Sequence, residues 1–222
     1  MDFRPHDLLW LDRPDAFVPA GGRPACLDGE GPVWLDGAWL ARAPLVVRRE
    51  AVISDRVPVG ARGLRRNQRC AGYAWAGALV RHVSPAMLAQ RVADDGARFA
   101  SAAVDLPCVA ALLALASRLN ALGLEWGPAG GVGFWLASEL PVLSPTSDLD
   151  LLVRAHARLD PAVIAVLNTL QESAPCRLDI QIDTGVGGFA LSEYAAGAGR
   201  VLLKTARGPL LLADPWTALE AA

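Results

Sequence analysis

The chain has 222 residues, of which 53% are hydrophobic and 20% charged, so there is ample apolar content to offset the entropy lost on folding and intrinsic disorder is excluded. Its net charge of −2 argues against a general nucleic-acid binder, whose footprint is a basic surface. The longest apolar run, Cys108 to Ser117, is about half of what a bilayer crossing needs and is closed by Arg118, so no membrane span is expected. Met1-Asp2-Phe3-Arg4-Pro5-His6-Asp7 has no apolar stretch behind a basic one, which argues against a signal peptide. Cys26, Cys70, Cys108 and Cys176 form no C-x-x-C pair and read as reduced thiols of a cytoplasmic protein. Nearly every basic residue is Arg; Lys204 is the only lysine.

In chain order, the texture changes near residue 75. Residues 1–75 are rich in Gly, Pro, Trp and Arg, with short β-like runs at Gly31-Pro32-Val33-Trp34-Leu35 and Ala43-Pro44-Leu45-Val46-Val47. Asp36-Gly37, between Trp34-Leu35 and Trp39-Leu40, is a hairpin signal. These features predict a small, mostly β N-terminal module. Its last stretch holds Arg62, Arg65, Arg66 and Arg69, whose i, i+3, i+4, i+7 spacing makes one face if the segment is helical.

From 76 to 222 the pattern is mixed. Ser84-Pro85 opens a helix running toward Val104, and Pro107 opens another that Gly123 stops. There follow a strand at Leu124 to Trp126, a helix at Val132 to Ser138, a strand at Leu149 to Val153 and a helix at Pro161 to Glu172. A strand at Cys176 to Ile182, a helix at Ala190 to Ala196 and strands at Arg200 to Thr205 and Pro209 to Ala213 complete the reading. This order predicts an α+β class, a mixed sheet with helices packed on it. Trp75, Trp126 and Trp135 are expected in the core.

Ser147-Asp148-Leu149-Asp150-Leu151-Leu152-Val153 carries the sharpest chemical signal. On a strand, Asp148 and Asp150 share a face about 6–7 Å apart, a spacing at which two carboxylates can share divalent metals. Ser147 with Asp150 also fits a capping box, and on a helix the two aspartates would diverge by roughly 200°. Asp179, within Arg177-Leu178-Asp179-Ile180-Gln181-Ile182, is a third candidate sharing a face with Gln181 and Asp183. Upstream, Ala129-Gly130-Gly131-Val132-Gly133 follows a strand and opens a helix, where glycines let backbone N–H groups approach a phosphate. Lys204 can reach a phosphate as a point charge or stand as an ordinary exposed lysine, and His6 is a candidate of the same ambiguity. The arginines suit phosphates, an acidic partner protein, or simply solvent.

A Gly-Gly turn, Asp-x-Asp and a later lone Asp resemble the nucleotidyltransferase superfamily. The resemblance narrows through Arg4-Pro5-His6-Asp7-Leu8-Leu9-Trp10, the segment Val57 to Arg69, Ser147 to Leu152, and Val201-Leu202-Leu203-Lys204-Thr205. Together these blocks resemble the malonate decarboxylase holo-acyl-carrier-protein synthases, the phosphoribosyl-dephospho-CoA transferases. One departure is Gly131, where the family commonly has Ser after the first Gly. The resemblance implies a nucleotidyltransferase-like catalytic domain behind the N-terminal module. It implies transfer of 2′-(5″-triphosphoribosyl)-3′-dephospho-CoA to a serine of the malonate decarboxylase acyl carrier protein with release of pyrophosphate. Asp148 and Asp150 would be the catalytic pair holding Mg2+ or Mn2+, with Asp179 added from the wider superfamily. Gly130, Gly131, Arg62, Arg65, Arg66, Arg69 and Lys204 would bind substrate, with neither nucleic acid nor membrane as a partner. A nucleotidyltransferase with another acceptor, or a non-catalytic adaptor docking a carrier protein through the arginines, are the alternatives.

Overall fold

The computed structural model describes residues 3–21, 32–52, 54–102, 105–197 and 199–217, so Cys26, Gly31 and Val104 lie outside the described residues. Two compact units emerge, Met1–Ser84 with Phe134–Val142 and Pro85–Gly133 with Leu143–Ala222.

The first unit is built on β1 (Leu8–Leu11), β2 (Phe17–Pro19), α1 (Gly37–Arg42), β3 (Leu45–Val47), β4 (Arg56–Arg62), β5 (Arg69–Trp75) and β6 (Leu79–Val83). The strands form one sheet in the order β2-β5-β4-β3-β1-β6, with every pairing antiparallel. Its core gathers Leu9, Phe17, Leu40, Leu45, Val57 and Val59, all buried. The chain start is held by Asp7, a buried carboxylate that accepts from the Arg4 amide at 3.0 Å and lies 2.8 Å from His82 Nε2. The mostly β module is therefore present.

Two local expectations in this unit are corrected. Asp36-Gly37 does not turn a hairpin and Pro32 to Leu35 is not a strand: Asp36 caps α1, its Oδ1 accepting from the Trp39 amide at 2.7 Å. Leu35 and Leu40, each 2% exposed, sit just before the cap and at the fourth helical position, where they can close the entry turn as a hydrophobic staple. The Arg-rich segment is not helical. Arg62 ends β4 and Arg69 begins β5, paired directly across the ladder, and the tip between them is closed by Gly63 N donating to Gln68 O at 2.9 Å. Arg65, Arg66 and Arg69 are exposed, whereas Arg62 is buried with its guanidinium 5.5 Å from the Phe134 ring.

The second unit contains α2 (Pro85–Ala102), α3 (Pro107–Ala121), β7 (Glu125–Pro128), the first turn of α4 (Gly130–Ser138), β8 (Leu149–Arg154), α5 (Pro161–Glu172), β9 (Leu178–Asp183), β10 (Gly187–Ala190), α6 (Leu191–Ala195), β11 (Val201–Thr205) and β12 (Gly208–Leu212). Their sheet runs β12-β11-β10-β9-β8-β7. β8 and β9 are parallel and the other pairings antiparallel. Parallel neighbours require a crossover, which α5 supplies. That helix starts where its sequence says it should, with Asp160 accepting from the Ala162 amide at 2.7 Å and Pro161 in the first turn.

α3 and α6 pack on the face that carries Val153, Ile180, Ile182 and Phe189, all buried. Trp126, across from Val153, donates its indole N–H to Asn120 of α3 at 2.8 Å, and Tyr194 of α6 stacks 5.4 Å from Phe189. Trp126 is thus a core residue, while Trp75 and Trp135 are only half-buried. β10 carries no strand signal in the sequence. Gly187 and Gly188 carry no β preference, yet a Cβ at Gly187 would meet Leu203 Cγ at 2.6 Å, so close packing demands glycine there. A small, mostly β N-terminal module precedes a nucleotidyltransferase-like mixed sheet with packed helices. Among the described residues, no helix is long and apolar enough to cross a membrane.

Candidate functional site

The parallel pairing of β8 and β9 aligns Leu149 with Leu178 and Asp150 with Asp179, so the two aspartates stand side by side on one face. The pairing continues past the strand ends, where the Leu149 amide donates to the Arg177 carbonyl at 2.9 Å. Asp148 lies just before β8, positioned by a turn in which Ser147 Oγ accepts from the Ser144 amide at 2.9 Å. The Ser147 hydroxyl therefore closes a turn, the segment is not helical, and the strand alternative holds.

Asp148, Asp150 and Asp179 each place a carboxylate oxygen within 4.8 Å of the others, and all three are half-buried. Three hard oxygen donors converging at this separation fit a divalent cation that prefers carboxylate ligands. Without a cation the like charges repel, which is the electrostatic reason for such a site to take one.

The Gly-rich turn packs against this cluster from the β7 side. The Ala129 amide donates to the Asp150 carbonyl at 2.8 Å, tying the end of β7 to β8. Gly130 follows with φ of +55°, and a Cβ there would stand 1.7 Å from Asp150 Oδ2. Both the backbone conformation and the space demand glycine. The next residues open α4, whose first-turn amides have no acceptor within the helix and are of the kind that can receive an anion. Gly131 contributes backbone alone.

Two neighbours escaped the sequence reading. Arg177 Nη2 lies 3.1 Å from Asp179 Oδ2, so a cation arriving at Asp179 competes with a guanidinium. Alternation along β9 carries the signal, because Arg177 and Asp179 are two residues apart and share a face. Cys176 also adjoins the cluster: burial pushes its thiol up, the Leu149 amide works against that rise, and the Asp148 charge adds to it. Cys108 is raised by burial first and then by Cys176. Burial thus favours the neutral form of both thiols.

The structure brings Asp148, Asp150, Asp179 and Gly130 together. Lys204 is exposed on β11 and pairs with Gly188, which pairs in turn with Asp183, so it shares the carboxylates' sheet face two strands beyond β9. Arg62, Arg65, Arg66 and Arg69 lie in the hairpin of the first unit. His6 also belongs to that unit, in the turn before β1 with φ of +74°.

Comparison with known proteins finds relatives along nearly the whole chain. The model described as Phosphoribosyl-dephospho-CoA transferase MdcG C-terminal domain matches residues 94–215, and that of the MdcG N-terminal domain matches residues 4–85. A phosphoribosyl-dephospho-CoA transferase of Pseudomonas aeruginosa is 44% identical over 216 residues, covering 97% of this chain and 95% of the relative. One from Klebsiella pneumoniae is 41% identical over 213 residues, with 96% of each chain covered. Another from Pseudomonas putida is 39% identical over 219 residues, covering 99% of this chain and 98% of the relative. No solved structure matches.

Proposed function

Because the chain belongs to the phosphoribosyl-dephospho-CoA transferase family, we propose that it transfers 2′-(5″-triphosphoribosyl)-3′-dephospho-CoA to a serine of the malonate decarboxylase acyl carrier protein, in the cytoplasm and with release of pyrophosphate. The observation that carries this reading is the convergence of Asp148, Asp150 and Asp179 within 4.8 Å, with Gly130 packed against Asp150.

The serine Oγ attacks the α-phosphorus, forming a phosphodiester as the bond to the bridging α–β oxygen breaks and pyrophosphate leaves. Asp148, Asp150 and Asp179 would hold Mg2+ or Mn2+, which when bound would supply neutralisation of the charge that develops at the α-phosphate. The first-turn amides of α4 hold the leaving phosphates through backbone N–H groups, and the missing hydroxyl at Gly131 leaves that task to the backbone. Asp179, on the strand away from the Gly-rich turn, faces the acceptor side. Its carboxylate orients the serine hydroxyl and draws on its proton as the P–O bond forms. Arg65, Arg66 and Arg69 offer exposed guanidinium forks to the phosphates or to an acidic carrier, and Lys204 is a further cation on the catalytic sheet.

Intact-mass measurement of apo carrier protein incubated with enzyme, Mg2+ and the triphosphoribosyl donor tests the reading. The expected result is a mass gain equal to the donor less pyrophosphate, dependent on all three components. A carrier of unchanged mass would refute it.

A further inference from the structure

Beyond the carboxylates, the same face of the second sheet continues toward β12. Gln181 stands two residues along β9 from Asp179 and pairs with Ala190 of β10. Lys204 of β11 pairs with Gly188, so Leu202, two residues away, lies on this face too, and Leu202 pairs with Leu211 of β12. Gln181, Ala190, Leu202 and Leu211 thus lie on the face that carries Asp150 and Asp179, with Gln181 roughly 7 Å from Asp179. Leu202 is 38% exposed and Leu211 57%, while Phe189, Val201 and Leu203 on the opposite face are at most 3% exposed beneath the helices.

At its other end this face is closed. A Cβ at Gly127 would meet the Pro85 carbonyl oxygen at 1.8 Å, so the start of α2 covers β7, and the Gly-rich turn abuts Asp150. In-line displacement sets the nucleophile opposite the leaving group. If the leaving phosphates lie at the α4 turn, the nucleophile approaches over β9. A protein acceptor needs on the order of 800 Å² of contact, and within this unit the face from β9 to β12 is where the site opens. Charge agrees: from Gly187 to Leu212 the bases are Arg200, Lys204 and Arg207, and the single acid, Glu193, is engaged by the Leu202 amide at 3.0 Å.

We propose that the surface formed by Gln181, Ala190, Leu202 and Leu211, flanked by Lys204, is the docking surface for the acceptor protein, which meets it with an apolar patch around the reactive serine and an acidic rim. This inference rests on the transfer reaction proposed above and adds the surface that recognises its acceptor. The apolar centre excludes water around the reacting hydroxyl, and the flanking cations orient an acidic partner.

The test uses the full chain carrying Leu202→Glu and Leu211→Glu. Both side chains are exposed, so the variant is expected to fold, and its thermal midpoint is compared with that of the wild type. Transfer is followed against carrier concentration and, separately, against donor concentration. The expected result is a KM for the carrier raised by about tenfold or more, with the KM for the donor and the affinity for Mn2+ unchanged. A variant that falls short of the wild-type midpoint is replaced by Leu211→Lys alone, judged by the same split. An unchanged KM for the carrier would overturn the proposal. So would a raised KM for the donor, which would give the face to the dephospho-CoA arm, or a halved molar mass in solution, which would give it to a second copy of this chain. Wild-type enzyme that modifies no carrier would refute the reaction itself; wild-type transfer with indifferent variants would refute only the docking surface.

Discussion

The two sheets have equal numbers of strands and opposite characters. In the first, each strand pairs antiparallel with its neighbour, and the carboxylate deeply buried there among the described residues, Asp7, is held by the Arg4 amide and His82. In the second, a parallel pair lies within the antiparallel order and sets Asp150 beside Asp179, residues that stand far apart in the chain. An acid in the first sheet secures a chain start, whereas three in the second face one another with room for a cation. Chemistry follows from strand direction here: the α5 crossover brings two strands into step, and their like charges meet at the same level of the sheet.

The contrast can be broken most severely at Asp148. Asp148→Asn keeps the shape and removes a charge from the cluster, so transfer is expected to fall by about 10³-fold, equivalent to about 4 kcal/mol of transition-state stabilisation. Circular dichroism and thermal melting should stay near those of the wild type, because the residue is only half-buried. Near-normal turnover would show that the second sheet is as structural as the first.

Gly130→Ala tests the contact between turn and cluster. The added methyl would enter the space of the Asp150 carboxylate and the backbone would be strained at φ of +55°, so Asp150 must move. A displacement of that kind is expected to cost about 10²-fold in single-turnover transfer.

These aspartates were legible in the sequence because Asp148-Leu149-Asp150-Leu151 alternates, and the observed strand confirms that period over the capping-box alternative. What alternation cannot supply is the register with β9, which depends on how α5 returns the chain. The first unit was harder to read for a different reason: its local signals serve two structures. Asp-Gly at 36–37 suits a hairpin turn and a helix cap alike, and the decision falls to Leu35 and Leu40, buried on either side of the cap. Arg62, Arg65, Arg66 and Arg69 match a helical period by coincidence. The ladder of β4 with β5, which runs unbroken from Arg56↔Trp75 to Arg62↔Arg69, outweighs it. Cys176 was invisible as a neighbour of Asp148 because its position depends on the same crossover, whereas the two-residue spacing of Arg177 and Asp179 carried their pairing.

Smaller effects sharpen the comparison. Replacing Arg65 and Arg69 with Ala changes exposed charge on the first unit alone, and binding of donor or carrier is expected to weaken by roughly three- to tenfold at low salt. The loss should shrink as salt rises. Separate isotherms for the two ligands would show which of them the hairpin serves, and no change in either would make it a solvated face. The smallest effect concerns Cys176, whose thiol is raised by burial and also by the Asp148 charge. Neutralising that charge lowers the thiol pKa, so more thiolate is present at a given pH. In Asp148→Asn, alkylation of Cys176 at pH 8 should run roughly two- to fivefold faster than in the wild type, read by mass spectrometry of the peptide that contains it.

The central claim is that the parallel register of β8 and β9 builds a metal-holding trio. The most direct measurement is anomalous diffraction from crystals of the wild-type chain grown with Mn2+. The account predicts an anomalous peak within ligand distance of Asp148, Asp150 and Asp179, with Arg177 displaced from Asp179. A structure at full Mn2+ exposure with no peak among these three carboxylates, and with the Arg177–Asp179 pair intact, would contradict it.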